Sequence, residues 1–209
     1  MTIKYKRYFR KSLLHKNRWG EFLLSDIDKE NPKKFLEIGI FQGVTSRNIC
    51  ELLFKKHGSE FHFTGIDLFE FNEKSVKEVA PIVKFSNPLK HFYFQYIKRL
   101  NPYSLEGVKD LLKKFNKNIK LIKGDSNIAL KQINNQKFDY IFLDGGHHYS
   151  TVKSDLLGSE KLINSKGIIM CDDYIHDEAP GVKKAIDEFV NEKNYKLEVF
   201  MNRFAKINL

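Results

Sequence analysis

Phe138-Asp-Tyr-Ile-Phe-Leu-Asp144-Gly-Gly-His147-His148-Tyr149 is the stretch that decides the fold. An apolar run of strand length ends in a carboxylate, a Gly-Gly turn and two imidazoles. Short apolar runs closed by turn residues read as strands buried in a parallel sheet. The same grammar recurs in Gly167-Ile-Ile-Met-Cys-Asp172-Asp173-Tyr174 and in Phe35-Leu-Glu37-Ile-Gly39-Ile-Phe-Gln-Gly43. Open α/β sheets bind ligands beyond the carboxyl ends of their strands, and here each strand ends in glycine or acid. Together the segments read as a nucleotide-type cofactor pocket beside a cluster of carboxylates.

Working outward, strand patterns alternate with helix patterns, which predicts an α/β fold with a mainly parallel sheet and helices on both faces. Strands are expected at Lys34 to Ile38, Phe61 to Asp67, Ile119 to Lys123, Phe138 to Asp144 and Ile168 to Asp172. Helices are expected at Thr45 to Lys56, Ser150 to Ile163 and Val182 to Glu192. The last helix carries Val182, Ile186, Phe189 and Val190 on one face. Tyr195 to Phe200 and Phe204 to Asn208 read as strands joined by a short turn, hence antiparallel. Residues 33–209 form the expected domain, and residues 1–32 a basic, helical segment on the substrate side. Residues 68–118 separate strands two and three by about fifty residues, longer than usual. They read as an insertion forming a lid or substrate wall, with extra core or an oligomer contact as the alternative.

At 209 residues the chain has room for one domain with a sizeable core. No apolar run is long enough to span a bilayer. The N-terminus lacks the apolar stretch of a signal peptide, so a cytoplasmic location is expected. Cys50 and Cys171 give neither a disulfide framework nor a metal-site spacing. The net charge of +10 admits an anionic partner or a lysine-rich solvated surface. The densest basic stretch, Lys4 to Arg18, is interleaved with Tyr5, Tyr8 and Phe9 and could hold an anionic substrate. Its spacing matches no nucleic-acid-binding module.

Glu37-x-Gly39-x-x-x-Gly43 lets the backbone turn sharply beside a ligand while the next helix presents its amides. It is not Gly-x-Gly-x-x-Gly, which disfavours a dinucleotide cradle, and no Walker-type motif occurs. Asp67 could accept both ribose hydroxyls. Asp125 and Ser126 could meet an adenine edge, or Asp125 could cap a helix. If strands four and five are neighbours, Asp144, Asp172 and Asp173 converge and repel. A divalent cation, Mg²⁺ or else Mn²⁺ or Ca²⁺, would resolve that repulsion; alternatively Asp172 or Asp173 caps the following turn while Asp144 binds the cofactor or a backbone amide. His147, in the glycine-led loop, is the candidate general base.

These residues resemble the class I S-adenosylmethionine-dependent methyltransferases. Asp-Gly-Gly-His-His-Tyr, Cys-Asp-Asp-Tyr and Gly181-Val-Lys-Lys-Ala-Ile-Asp-Glu-Phe189 look closest to the macrocin- and mycinamicin-type sugar O-methyltransferases. Catechol O-methyltransferase is a more distant relative. The resemblance implies a Rossmann-like, seven-stranded sheet of order 3-2-1-4-5-7-6 with the last strand antiparallel. It implies that Glu37, Gly39 and Gly43 line the methionine part of S-adenosylmethionine. Asp67 would hold the ribose, and Asp125 with Ser126 the adenine. Asp144, at the cofactor's edge, would join Asp172 and Asp173 on the metal, and His147 would be the base. The catechol enzyme has Asp-Asn where this chain has Asp172-Asp173, so a metal site here is more anionic. The resemblance reaches neither the insertion nor the N-terminus with Trp19.

The activity so implied is metal-assisted O-methylation of a hydroxyl on a small molecule or sugar. A nucleic-acid methyltransferase, a non-catalytic cofactor-binding protein and a nicotinamide-dependent oxidoreductase are the competing readings. Self-association is compatible with all of them.

Overall fold

The computed structural model describes residues 3–69 and 87–209. Seven strands form one sheet of order β3-β2-β1-β4-β5-β7-β6. The strands are β1 (Lys34–Ile38), β2 (His62–Asp67), β3 (Ile119–Lys123), β4 (Phe138–Leu143), β5 (Ile163–Cys171), β6 (Lys196–Phe200) and β7 (Phe204–Asn208). The first five run parallel, and β7 is antiparallel to both β5 and β6. The expected strand order and hairpin are therefore both present.

Alternation along the central strands builds a core on each face. Leu36, Ile141, Leu143 and Ile169 point to one side, against α5 (Ser126–Gln132), α6 (Tyr149–Leu162) and α7 (Pro180–Lys193). Phe35, Phe63, Tyr140 and Phe142 point to the other, where α1 (Trp19–Glu30), α2 (Val44–His57) and α4 (Leu105–Leu112) cover them. On that face the rings of Phe63, Phe35 and Tyr140 stack across β2, β1 and β4, with centroids 5.9 and 5.1 Å apart. Such pairs add about 0.5–1.5 kcal/mol each beyond their burial, and they fix the lateral alignment of the strands that carry the site.

Local chemistry explains the element ends. Pro180 opens α7, where a missing N–H costs nothing, and Asn194 closes it in the left-handed region. Asn31, also left-handed, ends α1 just before Pro32. One boundary differs from expectation. β5 begins at Ile163, directly after α6, and is irregular where Phe138 pairs with Ile163 and Tyr140 with Ile168. Asn164 to Gly167 therefore bulge within a strand instead of separating it from the helix.

Of the insertion, residues 70–86 lie outside the described residues. The rest forms α3 (Pro88–Phe92), capped by the Asn87 side chain, a wide helical turn at Tyr93–Lys98, and α4, capped by Ser104. Val108 and Leu112 of α4 are fully buried in the core. Part of the insertion is thus a structural layer, which favours the extra-core reading for α4. Among the described residues, no helix is long and apolar enough to cross a membrane.

Candidate active site

The loop after β1 runs against the loop after β4. A Cβ on Gly39 would fall 1.9 Å from the Asp144 carbonyl oxygen, and Gly39 has φ +92°. Only glycine fits, so its freedom serves the approach of two chain segments. Gly43, at φ +73°, starts α2. Beneath them Glu37 is fully buried and accepts from Ser46 Oγ at 2.6 Å through Oε2. Burial pushes its carboxyl up to about 8, opposed by the Ser46 hydrogen bond and reinforced by Asp67. Its Oε1 is buried without a hydrogen-bond partner among the described residues.

Asp67 ends β2 and turns toward this loop. Its Oδ2 accepts from the amides of Ile40 at 2.6 Å and Phe41 at 3.0 Å, and Oδ1 accepts from Phe69 at 2.7 Å. Here Asp67 braces backbone. Asp125 caps α5 through the amide of Asn127 at 2.8 Å, with Ser126 next to it.

Strands β4 and β5 are neighbours, and their ends bring the other acids together. Asp144, Asp172 and Asp173 each offer a carboxylate oxygen within 4.8 Å of the others. Burial first, and then repulsion from Asp172 and Asp173, hold Asp144 well above the ordinary carboxylate range. Burial also raises Asp172, to about 6. Burial would raise Asp173 too, but the His147 hydrogen bond and the Arg203 charge outweigh it and hold Asp173 below its ordinary value.

Arg203, in the turn between β6 and β7, is the counter-charge that sequence reasoning missed. Its Nη2 donates to Asp172 Oδ2 at 2.6 Å and lies 2.9 Å from Asp173 Oδ1. Its Nε stands 2.5 Å from Asp172 Oδ1, a charge contact that is not aligned as a hydrogen bond. The guanidinium carbon lies 4.3 Å from the Trp19 ring centroid, so α1 covers the pair. Only the β5–β7 register reveals it. With Ala205 opposite Cys171 in an antiparallel ladder, a count of two places Arg203 across from Asp173.

His147 follows in the β4–α6 loop, and its Nε2 lies 2.9 Å from Asp173 Oδ2. The start of α7 supports this loop, since a Cβ on Gly181 would press the Tyr149 amide at 2.8 Å. His176 stacks near the His147 ring, centroids 6.4 Å apart. His148 is the residue before α6 and makes no side-chain cap. The structure therefore gathers four of the expected residues into one corner, Asp144, His147, Asp172 and Asp173. Glu37, Gly39 and Asp67 lie in the adjoining loop, and Asp125 with Ser126 stand further along the same sheet edge.

The three carboxylates suit a hard divalent cation in donor type and spacing. The four oxygens of Asp172 and Asp173 already face Arg203 or His147, so a cation would share them with the guanidinium. Arg203 offsets one carboxylate charge, and a cation would favour the ionised forms of the raised carboxyls of Asp144 and Asp172.

The N-terminal strap crosses the glycine loop. Tyr5 is hydrogen-bonded to Thr45 Oγ1 at 2.7 Å, and the Lys6 amide donates to Asn48 Oδ1 at 2.9 Å. Arg10, buried, donates to the carbonyls of Gln42, Pro102 and Gly107 at 3.1, 2.9 and 2.8 Å. It joins strap, glycine loop and the base of α4. Burial pulls its guanidinium down to about 10.

A family profile described as "Methyltransferase domain" matches residues 36–174. No curated protein matches the sequence. Similar solved structures include the O-methyltransferase of Bacillus cereus in complex with S-adenosylhomocysteine, 13% identical, covering 92% of this chain and 81% of that one, with a TM-score of 0.62. The S-adenosylhomocysteine-bound methyltransferase PaMTH1 of Podospora anserina is 18% identical, with 95% and 79% covered and a TM-score of 0.58. CalS11, the TDP-rhamnose 3′-O-methyltransferase of calicheamicin biosynthesis, is 13% identical, with 90% and 77% covered and a TM-score of 0.60. At these identities the likeness is one of fold.

Proposed function

Because the chain belongs to the methyltransferase-domain family, we propose that it moves the methyl group of S-adenosylmethionine onto a hydroxyl of a small molecule or sugar, aided by a divalent cation. The observation that carries this reading is the convergence of Asp144, Asp172 and Asp173 beside His147. That corner adjoins the glycine loop because β1 pairs with β4.

Glu37, Gly39 and Gly43 would line the methionine part of the cofactor. The unpartnered Oε1 of Glu37 suits a cationic group such as its ammonium. Asp67 would share its carboxylate between loop amides and the ribose, and Asp125 with Ser126 would meet the adenine. Bound at the acids, the cation, Mg²⁺ or else Mn²⁺ or Ca²⁺, supplies Lewis acidity that eases loss of the hydroxyl proton. The cofactor supplies the methyl and the leaving group, so the chain's main task is alignment.

His147 takes the proton. With its Nε2–H donated to Asp173, Nδ1 is the basic nitrogen, and Asp173 stabilises the imidazolium that forms. Arg203 and the Trp19 ring hold the acids in place and exclude water from one side of the corner.

Calorimetric titration with S-adenosylmethionine and S-adenosylhomocysteine, in Mg²⁺ and in EDTA, tests the reading, followed by methyl transfer to hydroxylated acceptors. Both ligands should bind, and turnover should fall in EDTA. His147→Ala should cut turnover by about 10²–10⁴ while sparing S-adenosylhomocysteine affinity. Folded protein that binds neither ligand would overturn the proposal; turnover untouched by EDTA would remove the cation from it.

A further inference from the structure

A second cavity borders the glycine loop at Gln42. It measures about 250 Å³ and is lined by Phe9 and Lys11 of the strap, Gln42 of the loop, and Lys90, Phe94 and Tyr103 of the insertion. Its chemistry is the reverse of the acidic corner. Two lysines contribute to its wall and, among the described residues that line it, there is no carboxylate.

Ring contacts place the Lys90 ammonium. Lys90 Nζ sits 5.2 Å from the Phe9 ring centroid, and Phe9 meets Tyr93 edge-on at 5.5 Å. The Lys11 amide donates to Gln42 Oε1 at 2.7 Å, which fixes the strap against the loop. Arg10 lies 5.4 Å from the Phe94 ring and adds a third cation behind the wall. Nearby Asp110 is engaged with Lys98 at 2.9 Å and Lys113 at 3.6 Å. Burial, and then repulsion from Lys11 and Arg7, pull the Lys90 ammonium below its ordinary value, so an anion placed there would relieve it.

We propose that this cavity is an acceptor subsite for an anionic group, a phosphate or carboxylate carried by a sugar-sized molecule. The assignment rests on the methyltransferase reading, since it names the class of the methyl acceptor. Size argues for a compact ligand: drug- and cofactor-sized sites usually run from about 300 to 1,000 Å³. The Lys90 and Lys11 side chains would recognise the anion, while Phe9, Phe94 and Tyr103 give the cavity an aromatic wall for a ring. Gln42 directly precedes Gly43, so a ligand held here lies beside the loop assigned to the methionine part of the cofactor.

The test uses the full chain in about 0.15 M salt, where attraction to the general positive surface is screened. Glucose 6-phosphate, glucuronate, glucose and inorganic phosphate are titrated calorimetrically into wild type and into the Lys11→Met, Lys90→Met double variant. Inorganic phosphate and at least one charged sugar should bind, with glucose weaker by about tenfold or more. The double variant should lose about tenfold in affinity for the anions and keep its affinity for S-adenosylhomocysteine. The ranking of glucose 6-phosphate against glucuronate separates phosphate from carboxylate. Anion affinity unchanged in the double variant, or no anion binding by wild type, overturns the subsite. Failure of wild type to bind S-adenosylhomocysteine overturns the methyltransferase reading instead, and the phosphate titration remains interpretable.

Discussion

Two groups of aspartates stand on the same edge of the sheet and do different work. Asp67, at the end of β2, accepts three backbone amides. Asp144, Asp172 and Asp173, at the ends of β4 and β5, face one another and a guanidinium. The residue type is the same, and the donors within reach decide its role. Amides turn an acid into a brace for the glycine loop. The close approach of three acids makes a corner that needs positive charge, and a side chain from the β6–β7 hairpin supplies part of it.

The comparison breaks most sharply at Arg203. Arg203→Met leaves buried carboxylates unbalanced and should cost about 3–5 kcal/mol in EDTA. Mg²⁺ should restore part of the loss, because ion and guanidinium answer the same charge. Chemical denaturation with and without Mg²⁺ measures both, and no recovery would show that the corner holds no cation.

A smaller effect is expected on the amide side. Asp67→Asn keeps one acceptor oxygen but turns an N–H₂ toward amide donors, costing about 1–3 kcal/mol. S-adenosylhomocysteine affinity should fall with it, since the loop loses its brace. Unaltered denaturation curves would mean that the three amide bonds contribute nothing.

A third effect sharpens the contrast through pH. The Glu37 carboxyl is raised to about 8 in the fold, from 4.5. The fold retains a proton that the unfolded chain has released, so this group's contribution to stability declines as pH rises from about 4.5 to about 8. Glu37→Gln should remove that decline, so its melting temperature gains on wild type at pH 8 relative to pH 5. Parallel melting curves across that range would show that Glu37 is not held protonated.

Much of the fold was legible because periodicity and punctuation agreed. Apolar runs ending in Gly or Asp marked the central strands, and the short turn between Phe200 and Phe204 marked the hairpin. The meeting of Asp144, Asp172 and Asp173 followed from the adjacency of β4 and β5. What stayed hidden depends on partners distant in sequence. Nothing near Asp67 announces that its oxygens will meet the amides of Ile40 and Phe41. Arg203 stays hidden in the turn because its role appears only when the β5–β7 register is known. α5 was missed because its seven residues are too short for a clear helical period. In the N-terminal segment α1 forms at Trp19–Glu30, whereas the preceding strap is ordered through Arg10, Tyr5 and Lys6 by contacts to another part of the chain.

The position of β7 also bears on how the molecule is made. It is the last strand in sequence, yet it lies inside the sheet between β5 and β6. Synthesis from the N-terminus completes β1 to β5, with their acids, before the arginine that tempers them can dock. Insertion of the final strand then joins two events, closure of the sheet and neutralisation of the corner. A nascent chain short of that strand carries the acids without a docked guanidinium, so the charge balance of the corner arrives with the strand that follows Arg203.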